Sequence, residues 1–222
     1  MTRLLGSVVV GLLTVGVASA HFPFILPDPS GTSAKVVFSD DLTPDPKVDL
    51  AQLATAKFTL RDGSGKESPL ELKKGEGFYD VAVPGFGPRV VYGVADSGVK
   101  QKGDDKPFRL VYYPKAVIGA ADAKAVGGPL RAEIVSAAEP GKVRFQVLGD
   151  GKPVAEAEGA VIVPGVGKKT FKADKEGFTP TFAEPGRYGV YARWTEAKPG
   201  ELAGAKFTET RHYATLVIDV GK

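Results

Sequence analysis

Arg187-Tyr188-Gly189-Val190-Tyr191-Ala192-Arg193-Trp194 decides the fold class. Tyr188, Val190, Ala192 and Trp194 fall on one parity, and Arg187, Gly189, Tyr191 and Arg193 on the other. That is the period of a β-strand, whose successive side chains point to opposite faces. The same period runs through Lys142-Val143-Arg144-Phe145-Gln146-Val147, with Val143, Phe145 and Val147 together. It returns in the closing segment. There His212, Ala214, Leu216, Ile218 and Val220 share a face, and Tyr213, Thr215, Val217 and Asp219 share the other. Further strand candidates lie at 34–39, 57–61, 78–83, 89–94 and 109–113. Asp62-Gly63, Pro84-Gly85, Asp150-Gly151 and Pro185-Gly186 are turn-forming dipeptides among them. No long helical period competes. Short strands with frequent turns predict an all-β chain of sandwich type.

An internal echo suggests two related units. Gly77-Phe78 is followed by Pro84-Gly85 and then by Arg89-Val90-Val91-Tyr92-Gly93-Val94. Gly177-Phe178 is followed by Pro185-Gly186 and then by Arg187-Tyr188-Gly189-Val190. Generic turn cues produce the same echo, so both origins stay open. The Ala/Gly-rich stretch 119–128 lacks alternation and is the linker candidate, with β-sandwich domains at 21–118 and 129–222.

Residues 1–20 carry a secretory pattern: Arg3, an apolar run over 8–17, and Ala18-Ser19-Ala20 at the end. Cleavage after Ala20 is expected, giving a periplasmic, secreted or cell-envelope chain. The apolar run is short for a membrane span, and no later stretch is apolar enough for one. The chain has 222 residues, no cysteine and one methionine, Met1. Disulfides, thiolate zinc sites, iron–sulfur clusters, cysteine nucleophiles and thioether copper sites are therefore excluded from the mature chain. With 29 basic and 26 acidic residues the formal net charge is +3, and the basic residues are scattered. No nucleic-acid partner is expected.

The two histidines, His21 and His212, are the candidate metal ligands. Cleavage would make His21 the first residue, so its α-amine and imidazole can chelate one ion. A second histidine completes three nitrogens, the histidine brace, which suits copper(II). Pro23 has no amide hydrogen to surrender to a metal. His212 opens the last strand, and a hairpin across 195–208 would set it beside Trp194 at one rim. The segment 21–27 is long enough to reach that rim, about 23 Å. Asp40 or Asp41 could add an oxygen ligand, and Glu209 could stand behind His212. Against these readings, a histidine at a strand end is commonly a hydrogen-bonded structural residue.

The opening Ala20-His21-Phe22-Pro23-Phe24 joins three other motifs: Tyr112-Tyr113-Pro114-Lys115-Ala116, Gly151-Lys152-Pro153-Val154-Ala155 and Arg211-His212-Tyr213-Ala214-Thr215-Leu216. Together they resemble a bacterial secreted domain-of-unknown-function family often labelled as a periplasmic component of nickel or cobalt uptake. The resemblance implies immunoglobulin-like β modules, the later half prealbumin-like, and a transition metal, copper(II) or nickel(II)/cobalt(II), held through His21. It also implies a histidine where this chain has Trp194, leaving His21 and His212 with Trp194 as a cover.

Catalytic patterns are sparse. There is no Gly-x-Ser-x-Gly elbow, no His-Glu-x-x-His, no phosphate loop and no dinucleotide fingerprint. Asp40-Asp41 and Asp104-Asp105 are adjacent pairs, which on a strand point to opposite faces. The aromatic groups Phe22, Phe24, Tyr112, Tyr113 and Tyr188, Tyr191, Trp194 sit mostly at alternating positions expected of a core. The expected function is a non-enzymatic extracytoplasmic metal-binding protein that carries, buffers or delivers an ion, with a membrane transporter or envelope protein as partner. The alternatives are a structural or interaction module of the envelope without metal, and a histidine-brace copper oxidase acting on polysaccharide.

Overall fold

The computed structural model describes residues 21–120 and 122–221; the expected signal segment 1–20 lies outside them. The chain enters on β1 (Phe22–Pro27) and turns into β2 (Ser33–Ser39). A single turn of 3-10 helix at Ala51–Leu53 precedes β3 (Lys57–Arg61), β4 (Glu67–Leu70), β5 (Leu72–Lys74) and β6 (Tyr79–Ala82). Two long strands close the first half, β7 (Arg89–Lys100) and β8 (Phe108–Ile118). The second half holds β9 (Ala132–Glu139), β10 (Lys142–Gly149), β11 (Lys152–Pro153), β12 (Glu158–Val163) and β13 (Gly167–Lys172). It ends with β14 (Gly186–Glu196), the small hairpin β15 (Gly200–Leu202) and β16 (Ala205–Phe207), and β17 (Glu209–Val220).

The all-β expectation holds: no α-helix occurs among the described residues, and none is long and apolar enough to cross a membrane. The segments at 57–61, 142–147, 187–194 and 212–220 fall inside β3, β10, β14 and β17. Alternation did not single out β9, β12 or β13. β12 reads Glu-Gly-Ala-Val-Ile-Val, a run apolar on both parities because both its faces are covered.

The architecture has three layers. An eight-stranded sheet in the order β13-β12-β14-β17-β8-β7-β3-β4 runs through both halves of the chain. Its seam is the parallel pairing of β8 with β17, where Val111 lies opposite His212 and Tyr112 opposite Tyr213. A four-stranded sheet, β1-β2-β6-β5, covers one face, and the three-stranded sheet β11-β10-β9 covers the other. Parity along the central strands assigns each side chain to a layer. Tyr112, Ala116 and Val217 belong to the core under β1 and β2. Val111, Tyr113, Leu216, Ile218, Tyr188 and Val190 belong to the core under β9 and β10. The central strands are thus buried on both sides, and in β17 Thr215 and Val217 are buried on one parity as Ala214, Leu216 and Ile218 are on the other.

Ala120, Ala123 and Val126, in the expected linker, pack on the second core. Ala123 is buried, and its amide donates to Ser136 Oγ at 2.6 Å. The Val126 and Gly127 amides donate to the Glu133 carboxylate at 2.6 and 3.1 Å. The fully buried Lys115 reaches the same carboxylate at 2.6 Å.

Candidate functional site

His212 leaves β17 on the parity of Ala214, Leu216 and Ile218 and is 1% exposed. Trp194 is its cross-strand partner on β14, as the expected hairpin requires, and the two rings stack 4.7 Å apart at 21°. Tyr113 flanks the imidazole at 5.7 Å, with its hydroxyl 3.0 Å from Nδ1. Gly149 makes room for the indole: a Cβ there would fall 2.8 Å from Trp194 Cδ2.

A charged set closes the rim. Arg131 donates from Nε and Nη2 to the two Asp150 oxygens at 2.9 and 2.7 Å. Its Nη1 donates to Glu196 Oε2 at 2.9 Å, and its guanidinium lies 5.5 Å from the Trp194 ring centre. The same Glu196 oxygen faces His212 Nε2 at 3.7 Å, and this buried nitrogen has no hydrogen-bond partner. The Arg131 hydrogen bonds hold the Asp150 and Glu196 carboxyls below their usual range. Burial, reinforced by the Arg131 charge, depresses the His212 imidazole, and burial raises the Tyr113 phenol. With the phenol as donor to Nδ1 the neutral imidazole carries its proton on Nε2, facing Glu196; with Nδ1 as donor to the phenol oxygen, Nε2 is the bare nitrogen.

These shifts set a pH dependence. The native imidazole binds a proton less readily than the unfolded one, whose pKa is about 6.5. Stability is therefore fully present above that value and is lost as pH falls from it toward the depressed native pKa. Replacing His212 by phenylalanine is expected to flatten the fall in denaturation midpoint between about pH 7 and about pH 5. An unchanged slope in the variant would remove His212 as its source.

His21 lies on the other face. Phe22 stacks on Tyr191 at 4.0 Å and approaches Tyr213 at 5.4 Å. Thr215 Oγ1 donates to the Pro23 carbonyl at 2.6 Å, tying β1 to the odd-numbered side of β17. The His21 ring lies 6.2 Å from Phe38, with Nε2 4.0 Å from Asp45 Oδ2 and about a quarter of its side chain exposed. The neighbouring Tyr112 phenol is pushed up to about 12 by burial.

The structure therefore does not bring His21 and His212 together. His212 faces the β9–β10 layer and β1 covers the opposite face, so the central sheet stands between them. Among the described residues there is no group of three or more His, Cys, Asp and Glu side chains placed to hold a metal ion. Glu209 lies on the opposite parity of β17 from His212, and its carboxylate accepts from Arg211 Nε at 2.7 Å. Asp41 accepts from Ser39 Oγ and the Thr43 amide, as a turn residue does. Sequence reasoning missed Arg131, Glu196 and Tyr113 as partners of His212. Asp150-Gly151 was legible only as a turn, because its partners come from distant segments.

Residues 18–196, which include His21, Trp194 and the Arg131 cluster, match the family described as Domain of unknown function (DUF4198). The chain belongs to DUF4198. His212 lies beyond the matched segment. No curated protein matches the DUF4198 chain. Among solved structures it is similar to pullulanase from Anoxybacillus sp. LM18-11 complexed with maltotriose, at 18% identity over 85% of this chain and 27% of that one, with a TM-score of 0.20. The same enzyme complexed with maltotetraose aligns at 17% identity over 84% of this chain and 26% of that one, with a TM-score of 0.19. The DUF4198 chain spans about a quarter of the pullulanase length.

Proposed function

We propose that the protein is a structural or interaction module of the cell envelope, exported by its N-terminal segment and free of catalytic activity. The observation that carries this reading is the separation of the two histidines by the central sheet. His212 is sandwiched between Trp194 and Tyr113 and walled by the Arg131 ion pairs, which makes it a positioning residue of the core rim. Two immunoglobulin-like halves, the second prealbumin-like, fused through the β8–β17 seam, form the scaffold in this proposal. The exposed hairpin β15–β16 offers contact surface at one end.

A second reading keeps a metal at the first histidine alone. The proximity of His21 Nε2 to Asp45 Oδ2, with both side chains reached by solvent, favours it. After cleavage, the α-amine, the imidazole and that carboxylate could bind copper(II), nickel(II) or cobalt(II) for delivery to a transporter. Calorimetric titration of a chain verified to begin at His21 separates the readings. The module reading expects no one-to-one binding that survives dialysis, and His212→Ala lowers only thermal stability. Tight binding abolished by one extra N-terminal residue, weakened by Asp45→Asn and indifferent to His212→Ala would establish the second reading.

A further inference from the structure

Phe86 is 93% exposed, the most exposed large apolar side chain among the described residues. It stands at the tip of Pro84-Gly85-Phe86-Gly87-Pro88, the connection from β6 to β7. The loop is held from below. Arg89, only 5% exposed, donates from Nη1 to the carbonyls of Val83, Pro84 and Gly85 at 3.2, 3.2 and 2.6 Å, and from Nε to Gly87 at 3.1 Å. Gly85 and Gly87 have φ of 87° and 75°, so the turn depends on residues without a Cβ. Gly119 backs the loop closely, since a Cβ there would lie 3.0 Å from the Gly87 carbonyl oxygen. The ring is thus presented by a supported turn, and ordering it on binding costs little.

The same end of the molecule has a hole. A cavity of about 390 Å³ is lined by the apolar Val143, Phe182, Ala183, Pro185 and Val220 together with Glu139, Lys142 and Glu184. The register places both features together. Arg89 pairs with Ile118 at the end of β8, β8 and β17 run parallel, and Gly186 pairs with Val220 at the end of β17. Loop 84–88 and the cavity therefore open in the same direction, separated by a few strand widths of about 4.8 Å.

We propose that this end is a self-association surface, in which Phe86 of each protomer fills the Val143–Phe182–Pro185–Val220 cavity of a second copy. Both parts of the contact lie on one chain and open the same way, so a two-fold axis across that end makes both insertions at once. Residues 84–88 have no ionisable side chain, so seating the loop strips no charge of water. The cavity rim has both signs of charge, which suits a protein neighbour and lacks the basic cluster that holds an anionic lipid surface. The inference is independent of the envelope reading, because the dimer forms whether or not the chain meets another partner or a metal.

Sedimentation equilibrium on the full mature chain, from about 1 μM to about 500 μM, tests it. A monomer–dimer equilibrium is expected. Phe86→Ser should weaken it about tenfold or more. Ala183→Trp, at an exposed position in the cavity lining, should block the hole and weaken it similarly. Mixing the two variants should restore part of the association, since each keeps the part the other lacks. Circular dichroism and urea midpoints should match the parent chain in both. A chain that stays monomeric throughout, or a dimer indifferent to both substitutions, overturns the proposal.

Discussion

Replacing Lys115 by methionine is expected to lower the unfolding free energy by about 3–5 kcal/mol, the usual consequence of removing one partner from a buried ion pair. Lys115 and Glu133 are 1% and 4% exposed, with Nζ and Oε1 2.6 Å apart. Glu133 also accepts the Val126 and Gly127 amides, and Lys115 donates to the Lys124 carbonyl at 3.2 Å. The methionine would leave a carboxylate in a dry site. It would also loosen residues 124–127, which this pair holds against the second core. The double change Lys115→Met with Glu133→Gln should recover most of the loss. The neutral amide removes the stranded buried charge, and its oxygen can still accept from one of the Val126 and Gly127 amides. Urea midpoints of the two single variants and the double complete the cycle. A loss below about 1 kcal/mol in Lys115→Met would mean that water reaches the pair.

Phe145→Ala is the second large effect, expected at about 3–5 kcal/mol from lost burial and the cavity left behind. Phe145 is fully buried on β10, with Tyr188 at 5.7 Å and Phe182 at 6.3 Å. Its amide donates to Thr179 Oγ1 at 3.0 Å, and its carbonyl accepts the Thr179 amide at 2.8 Å. The ring is one of the contacts, with Ile134, Val143 and Val147, through which the β9–β10 layer packs on the central sheet. Phe145→Leu should keep most of the stability, losing about 1.5 kcal/mol or less. Since the eight-stranded sheet crosses both halves, a single cooperative transition is expected in the parent chain and in both variants. Two separated transitions would show that the halves melt as independent modules.

These outcomes bear on how much of the molecule could be read before its structure was known. Strands with one parity apolar, such as 142–147 and 187–194, were legible because one face is packed and the other is polar or less buried. β12 was not, because Ala160 and Val161 pack on opposite sides and erase the alternation. The Trp194–His212 pairing was legible for a local reason: one hairpin spans both, and turn and period settle its register. The seam between β8 and β17 was not. Their partners are about a hundred residues apart, and a parallel pairing leaves no turn in the sequence to mark it.

The candidate site divides the same way. By itself, the sequence determined the all-β class, the residues of several strands, the neighbourhood of Trp194 and His212, and the face His212 shares with Ala214, Leu216 and Ile218. Each of these follows from nearest-neighbour geometry along one strand or one hairpin. Tertiary structure alone decided which layer covers which face of the central sheet. That choice sets β1 and His21 on one side and His212 on the other, and it gathers Tyr113, Arg131, Asp150 and Glu196 around the imidazole. A strand with positions fit for burial on both parities can be covered by either layer on either face. The choice between them is made by packing among segments far apart in the chain, and no period along one segment records it.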